Sequence, residues 1–289
     1  NYNIRKYRKN AIPYFNRINT NHFPETYYYL GRLSLLNKEY DRAMYFFTQY
    51  KESKEVLEHT PKEIQDLINK CQTAVVFEKN KNDSIRIINL GSTINTEYAE
   101  YAPLIALKED FLIFTSRRKN DAHTNKDPLG EYFEDIYISN RNGDNWEAPS
   151  LLIDTLINTP LHDASTGLSA DGKKLLIYRT SPDLRSGDIY ESNFNGESFG
   201  TPSIITTNVN SKKYIETSAC YSPDNTIIFF SSDRPGGFGG KDIYFMKKLS
   251  NGKWGTPFNL GAVINTEYNE DAPFIHPLNN TLFFSSEGH

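Results

Sequence analysis

Residues 231–244 read "SSDRPGGFGGKDIY". An apolar run, "IIFFSS" at 227–232, leads into this stretch, and "DIYFM" at 242–246 leads out of it. Both flanks are short, rich in Ile and Phe and bounded by turn residues, which predicts two strands joined by a glycine-rich loop. Further out, "SPDNT" at 222–226 and "NGKWGTP" at 251–257 read as tight turns, since Asp-Asn and Asn-Gly tolerate the positive φ that hairpins need. The unit closes on "INTEYNEDAPF" at 264–274.

Each piece recurs in fixed order. The lead-in phrase stands at Ile94–Pro103, more weakly from Ile157 and Val209, and again at Ile264–Pro273. The apolar runs are "FLIFTS" at 111–116, "LLIY" at 175–178, "IIFFSS" at 227–232 and "LFFSS" at 282–286. Asp-Ile-Tyr stands at 135–137, 188–190 and 242–244, followed each time by Asn-Gly, an aromatic and a proline. Four antiparallel strands per repeat, at a period of about 50–60 residues, define a propeller blade. Ile113, Ile177, Ile228 and Phe283 are expected at equivalent buried positions. Tyr98 and Tyr268 are expected to wedge between blades, with Asn and Thr of the phrase fixing a local turn. The competing reading makes Glu97, Glu100, Glu267, Glu270 and Asp271 a carboxylate ring that holds a cation or a basic peptide.

The chain before this is different. In "PETYYYLGRLSLLNKEYDRAMYFFTQYKES" at 24–53, apolar residues recur at helical spacing (Tyr29, Leu33, Leu36, then Tyr40, Ala43, Met44, Phe47) around a polar turn at 37–39. Gly31 and Ala43 are small enough for two antiparallel helices to approach closely. A further helix is expected from Pro61 to about Phe77, and Ala11 with Phe15 suits an earlier one. The pattern resembles tetratricopeptide (TPR) repeats, with Ser34 where an aromatic is usual. The expected class is therefore α+β multidomain: TPR-like helical hairpins over 1–82, then an antiparallel all-β propeller over 83–289, about three and a half blades of it present. Because a propeller closes on itself, the sequence is expected to be part of a longer one.

Composition narrows the function. Tyr and Phe (19 and 18) far outnumber Met and Trp (2 each), which suits pleated surfaces. The 82 residues to Asn82 carry 14 Lys+Arg against 9 Asp+Glu, and the remainder 18 against 27. An acidic body argues against nucleic-acid binding, and no apolar run is long enough to span a bilayer. Cys71 and Cys220 are expected as buried thiols, without a disulfide or zinc spacing. No nucleophile elbow, zinc-protease motif or phosphate loop is present, and His162, His276 and His289 fall at unlike positions. No enzyme activity, metal or cofactor is expected. The recurring Asp135, Asp188 and Asp242 suit strand caps better than a catalytic acid. The long loops at 117–135 and 233–242 are the segments suited to recognition.

The repeats resemble WD40-like blades of TolB-type propellers, with "SSDRPGGFGGKDIY" as the most specific stretch. Helical repeats followed by such a propeller resemble the TPR–propeller–OmpA-like envelope components of type IX secretion and gliding machinery. That resemblance implies a non-catalytic scaffold, periplasmic and outer-membrane associated, whose partners are other envelope proteins. Peptidoglycan binding would belong to a C-terminal domain not seen in this chain. Candidate partner contacts are Tyr27, Tyr28 and Arg32 on the first helix of the hairpin, and Arg234 and Phe238 in the propeller. The alternatives are a propeller hydrolase of glycan or peptide, favoured by a cluster of unlike polar residues at one mouth, and a cation- or ligand-binding sensor.

Overall fold

The computed structural model describes residues 13, 15, 17, 23–53, 58–80, 86–152 and 157–289. The chain divides into two compact units, Asn1–Ile88 and Asn89–His289. The boundary expected at 82/83 and the helix expected around Ala11 lie outside the described residues.

In the first unit, helices α1 (Glu25–Leu36) and α2 (Tyr40–Glu52) form an antiparallel pair, and α3 (Pro61–Lys79) packs on α2. Lys38 turns the chain between the first two with φ 62°. A Cβ on Gly31 would lie 2.5 Å from the Phe47 ring, so the absent side chain is what lets the fully buried Phe47 reach α1. α3 opens on a capping box: the Glu63 N–H donates to Thr60 Oγ1 (3.2 Å) and the Thr60 N–H to Glu63 Oε2 (2.6 Å). This satisfies two of the amides that the first helical turn leaves unpaired. Ala43, Phe47, Tyr50, Ile64 and Cys71 form the core.

The second unit consists of four successive antiparallel sheets. Blade 1 pairs β1 (Glu100–Ile105), β2 (Phe111–Ser116), β3 (Asp135–Asn142) and β5 (Ser150–Leu151), with a two-residue arm β4 (Asn145–Trp146) on β3. Blade 2 runs β6 (Asp163–Leu168), β7 (Lys174–Thr180), β8 (Gly187–Asn193), β9 (Ser203–Ile204). Blade 3 runs β10 (Glu216–Tyr221), β11 (Ile227–Ser232), β12 (Asp242–Lys247), β13 (Phe258–Asn259), and β14 (Glu270–Ile275) with β15 (Leu282–Ser286) begins blade 4. The first strands of consecutive blades are neighbours, β1 to β6 to β10 to β14, which is the radial order of a propeller. Each first strand carries an irregularity; those of blades 1 and 4 fall at the same place, with Ala102 and Ala272 at positive φ.

The second strands of blades 1 to 3 are buried through most of their central residues, whereas β15 is not. Ile113 faces blade 2 with Ile136, Ile157, Leu175 and Ile177, while its neighbours Leu112 and Phe114 face the other way with Ile94 and Tyr137. One expected register needs correction. All four runs are second strands, but β-pairing aligns Ile113 with Leu176, Phe229 and Phe283, so Ile177 and Ile228 are each one residue off. A run that is apolar at every position carries no parity, so it cannot fix which residue faces which side. Phe283, expected to be buried, is 53% exposed.

Candidate functional site

Antiparallel order sorts the connections. Those between strands one and two, and three and four, leave one end of each blade; those between two and three, and the lead-in to the next blade, leave the other. The first end holds short turns capped by their own side chains: Ser169 and Ser222 each donate to the Asp two residues on, at 2.6 Å in both blades. The other end holds everything irregular, and the candidate site is there.

A repeated latch fixes this end. Arg234 Nε donates to Ser232 Oγ (2.9 Å), its Nη2 to Glu216 Oε1 (3.0 Å) and the Val209 carbonyl (2.8 Å), and its Nη1 to the Asn208 carbonyl (3.0 Å). The guanidinium also lies over Phe230 and Tyr244. Arg118 does the same in blade 1 with Ser116, Glu100 and the Ile94 carbonyl. Blade 2 reaches the same result from a different position: Arg179 bonds Asp163 (2.5 Å) and the Ile157 carbonyl (2.7 Å). In blade 4 His289 Nε2 lies 3.0 Å from the Ile264 carbonyl, and Ser286 donates to Glu270. Arg234 is thus an internal latch and leaves the set of candidate contacts. Glu100 and Glu270 belong to the same latches and also accept from Thr96 and Thr266, so they form no open ring of carboxylates. Tyr98 packs edge-on against Tyr132 of its own blade's long loop rather than between blades.

The asparagine of the lead-in does more than hold a local turn. Asn158 Oδ1 accepts from the Ile136 N–H (2.7 Å) and its Nδ2 donates to the Ile136 carbonyl (3.0 Å). Asn210 holds Ile189 (2.7 Å for both bonds) and Asn265 holds Ile243 (2.8 and 3.0 Å) in the same way. Each staples the Asp-Ile-Tyr strand of the blade before it. The signal was present in the sequence as an interval of 22, 21 and 22 residues from that isoleucine to the asparagine.

The glycine loop is explained by close approach. A Cβ on Gly239 would sit 2.2 Å from the Glu267 backbone, and one on Gly240 2.3 Å from Asn269 Oδ1. The Gly240 N–H donates to the Tyr268 carbonyl (3.0 Å) and the Lys241 N–H to Asn269 Oδ1 (2.9 Å). Asp242 caps the loop by accepting from the Phe238 N–H (2.7 Å) and Asn259 Nδ2 (2.7 Å), as expected for a structural aspartate. Phe238 is consequently held on a pinned backbone while its ring stays 51% exposed. Asp135 plays the same part in blade 1, taking Asn120 and His123.

The corresponding loop of blade 1 builds a small hairpin closed by a Lys126–Tyr132 bridge, with Leu129 at its tip, 87% exposed. Asp127 caps it by accepting from the Leu129 and Glu131 N–H groups (2.8 and 3.0 Å). Arg117 ties Asp127 (3.1 Å) to Glu134 (2.8 Å), and His162 of blade 2 closes the cluster, its Nδ1 lying 3.4 Å from Glu134 Oε2. Burial opposes ionisation of Glu134, but hydrogen bonds from His162, Tyr101 and Arg117 outweigh it and hold its carboxyl down at about 2. The lock was not legible in the sequence, because His162 reaches it from the next blade.

In the helical unit, Tyr28 stacks on His59 at 3.8 Å and contacts Phe47 and Tyr50, and its hydroxyl accepts from Arg32 Nη1 (3.0 Å). Tyr28 is therefore a packing residue, and Tyr27 lies half-buried against Phe46. Glu25, Glu58 and His59 stand close enough to share an ion, but Glu25 already accepts from Tyr50 and the Glu58 N–H.

Both cysteines are free and buried. Burial pushes the Cys220 thiol up to about 12 and Cys71 up to about 11. A raised thiol is protonated, and unreactive, throughout neutral pH. Ellman's reagent at pH 8 should therefore label neither in the native protein and both in denaturant. Rapid native labelling of Cys220 would contradict its placement.

No protein-family model matches the chain, and no curated protein matches it. Among solved structures it is similar to a putative TolB from Agrobacterium tumefaciens, at 18% identity over 67% of this chain and 72% of that one, with TM-score 0.40. It is also similar to TolB from Acinetobacter baumannii (16% identity, 67% and 42%, TM-score 0.41) and to a prolyl endopeptidase (15%, 65% and 24%, TM-score 0.36). The chain spans less than half the length of those last two. The architecture above stands on strand order and register, not on these likenesses. No helix among the described residues is long and apolar enough to cross a membrane.

Proposed function

We propose that the protein is a non-catalytic scaffold of the cell envelope that binds other proteins through the irregular end of its propeller. The observation that carries this is the pair of apolar tips, Leu129 and Phe238, exposed on loops whose backbones are already fixed by hydrogen bonds. A preorganised apolar side chain loses little entropy on binding, which is what an interface anchor requires. The motif resemblance to TPR–propeller–OmpA-like proteins supports a periplasmic setting beside the outer membrane, with type IX secretion components as partners. TPR-like helices would offer a second surface around Tyr27 and Arg32.

A hydrolase reading draws on the cluster of Arg117, Asp127, Glu134 and His162. Its groups are spent on one another, and a carboxyl held near 2 is far from the value near neutrality that suits a general acid or base. The test is affinity capture from the native envelope with Phe238→Ala and Leu129→Ser variants. Each should weaken capture by roughly thirtyfold, about 2 kcal/mol for a central anchor, without shifting the unfolding midpoint. Unchanged partners from the folded double variant would overturn the role of this end. Turnover of a glycan or peptide panel, lost on Glu134→Gln, would replace the scaffold reading with the hydrolase.

A further inference from the structure

The seam between blades 1 and 2 and the seam between blades 2 and 3 each hold a recess, and the two occupy the same place in the repeat. The first, about 480 Å³, is lined by Phe111, Ile138, Phe194, Ser198 and Phe199. The second, about 430 Å³, is lined by Lys174, Glu191, Asn208, Lys248, Lys253 and Trp254. Strand pairing makes the positions equivalent. Phe111 opposes Asn140 as Lys174 opposes Asn193, and Ile138 opposes Ile113 as Glu191 opposes Leu176. The bridge Phe194–Phe199 likewise matches the bridge Lys248–Trp254. One aromatic wall is kept, Phe199 or Trp254. Around it, Phe111, Ile138, Phe194 and Ser198 give way to Lys174, Glu191, Lys248 and Lys253.

The second recess is fixed in shape and unbalanced in charge. Both Glu191 oxygens lie 3.3 Å from Lys174 Nζ, and the Tyr221 hydroxyl also donates to Glu191. Tyr221 in turn stacks on Trp254, with ring centres 6.2 Å apart. Asn208 Nδ2 donates to the Gly255 carbonyl (3.0 Å) and so holds the β12–β13 turn in place. Lys174 is matched by Glu191, whereas among the described residues Lys248 and Lys253 have no carboxylate partner. Three lysines against one glutamate leave a surplus of two positive charges. The seam does not need them, because the first recess closes on Phe111, Ile138 and Phe199 at the equivalent positions. Like charges gathered in one cleft repel each other, and their joint field draws an anion.

We propose that the recess between blades 2 and 3 binds a small phosphate monoester, with the phosphate between Lys248 and Lys253 and the organic body against Trp254. A phosphate monoester carries a charge of about −1.5 to −2 at neutral pH. That matches the surplus of two, whereas a carboxylate brings a single charge. Each ammonium is a compact charge with three donors, so two of them can share the phosphate oxygens. The volume falls within the range of about 300–1,000 Å³ usual for small-ligand sites. Walls from two blades bound the recess, which suits a compact ligand rather than an extended chain. The site does not involve Leu129 or Phe238 and stands whether or not they anchor a partner.

The test reads tryptophan emission in a Trp146→Phe background, which leaves Trp254 alone of the two tryptophans. Phenyl phosphate should shift the emission saturably, and inorganic phosphate should bind roughly tenfold more weakly for want of a ring to pack on Trp254. Lys248→Phe with Lys253→Ser installs the side chains that the other recess already accommodates. This variant should unfold at the parent's temperature and bind phenyl phosphate roughly a hundredfold more weakly, through the loss of two charge-assisted bonds. Lys253→Gln alone, at an exposed position, should weaken binding by roughly tenfold. Phosphatidate vesicles carry the same group on a lipid and should not retain the protein. Equal affinity for inorganic phosphate would mean an adventitious ion only and would overturn the proposal. So would the absence of a saturable shift, or binding left intact in the folded Lys253→Gln protein. Retention on the vesicles that the double variant loses would assign the recess to a lipid headgroup and overturn the soluble ligand.

Discussion

Arg234→Ala should cost the propeller about 3–5 kcal/mol, measured as a shift of the urea midpoint at constant slope. Glu216 is 0% exposed and depends on Arg234 and Ser232 for its hydrogen bonds at Oε1. Without the guanidinium a buried carboxylate is left without its counter-charge, and the Asn208 and Val209 carbonyls lose their donor. Arg234→Lys should recover only part of this, because one ammonium cannot span the four acceptors or lie flat over Phe230 and Tyr244. Pairing Arg234→Met with Glu216→Gln should recover most of it, since removing both charges ends the imbalance. A fully folded, equally stable Arg234→Ala protein would return the residue to the surface role that its sequence context suggested.

Asn210→Ala should cost about 2–4 kcal/mol, from two buried backbone groups at about 1–3 kcal/mol each. The Ile189 N–H loses its acceptor, and the Ile189 carbonyl keeps only the 3.4 Å bond from Ile205. Asn210→Asp is the sharper variant. It is nearly isosteric and still accepts from the N–H, but it turns a carboxylate oxygen toward the Ile189 carbonyl, so it should destabilise by a comparable amount at neutral pH and less in acid, where the carboxyl can donate. Thermal unfolding of the two variants at neutral and acid pH reads this out. An Asp variant as stable as the parent at neutral pH would mean that the staple is not closed in solution.

The blades were legible because several weak signals recur in one order: an apolar run, Asp-Ile-Tyr, Asn-Gly before an aromatic, and the lead-in phrase. What failed was whatever depends on parity or distance. Ile177 and Ile228 were misaligned by one residue because their neighbours are equally apolar. Arg234 looked free because its acceptors, the Asn208 and Val209 carbonyls, lie about 25 residues away and carry no side-chain signature. Tyr28 sat on the expected face of its helix, but His59 arrives from beyond the second helix to cover it. At the candidate site, Phe238 was visible because glycines surround it. Leu129 was not, because its exposure follows from a hairpin whose cap, Asp127, is indistinguishable in sequence from any polar loop residue.

The staple also sets an order of events at the ribosome. Each Asp-Ile-Tyr strand waits for an asparagine 22, 21 and 22 residues further along the chain in blades 1 to 3. The nascent chain therefore cannot finish a blade when that blade's own residues have emerged. It finishes it only when the opening of the following blade is out of the exit tunnel. Translation thus delivers the staples one at a time from the amino-terminal side, and a pause placed just after an Asp-Ile-Tyr strand leaves its isoleucine without the asparagine, whereas a pause placed after the asparagine does not.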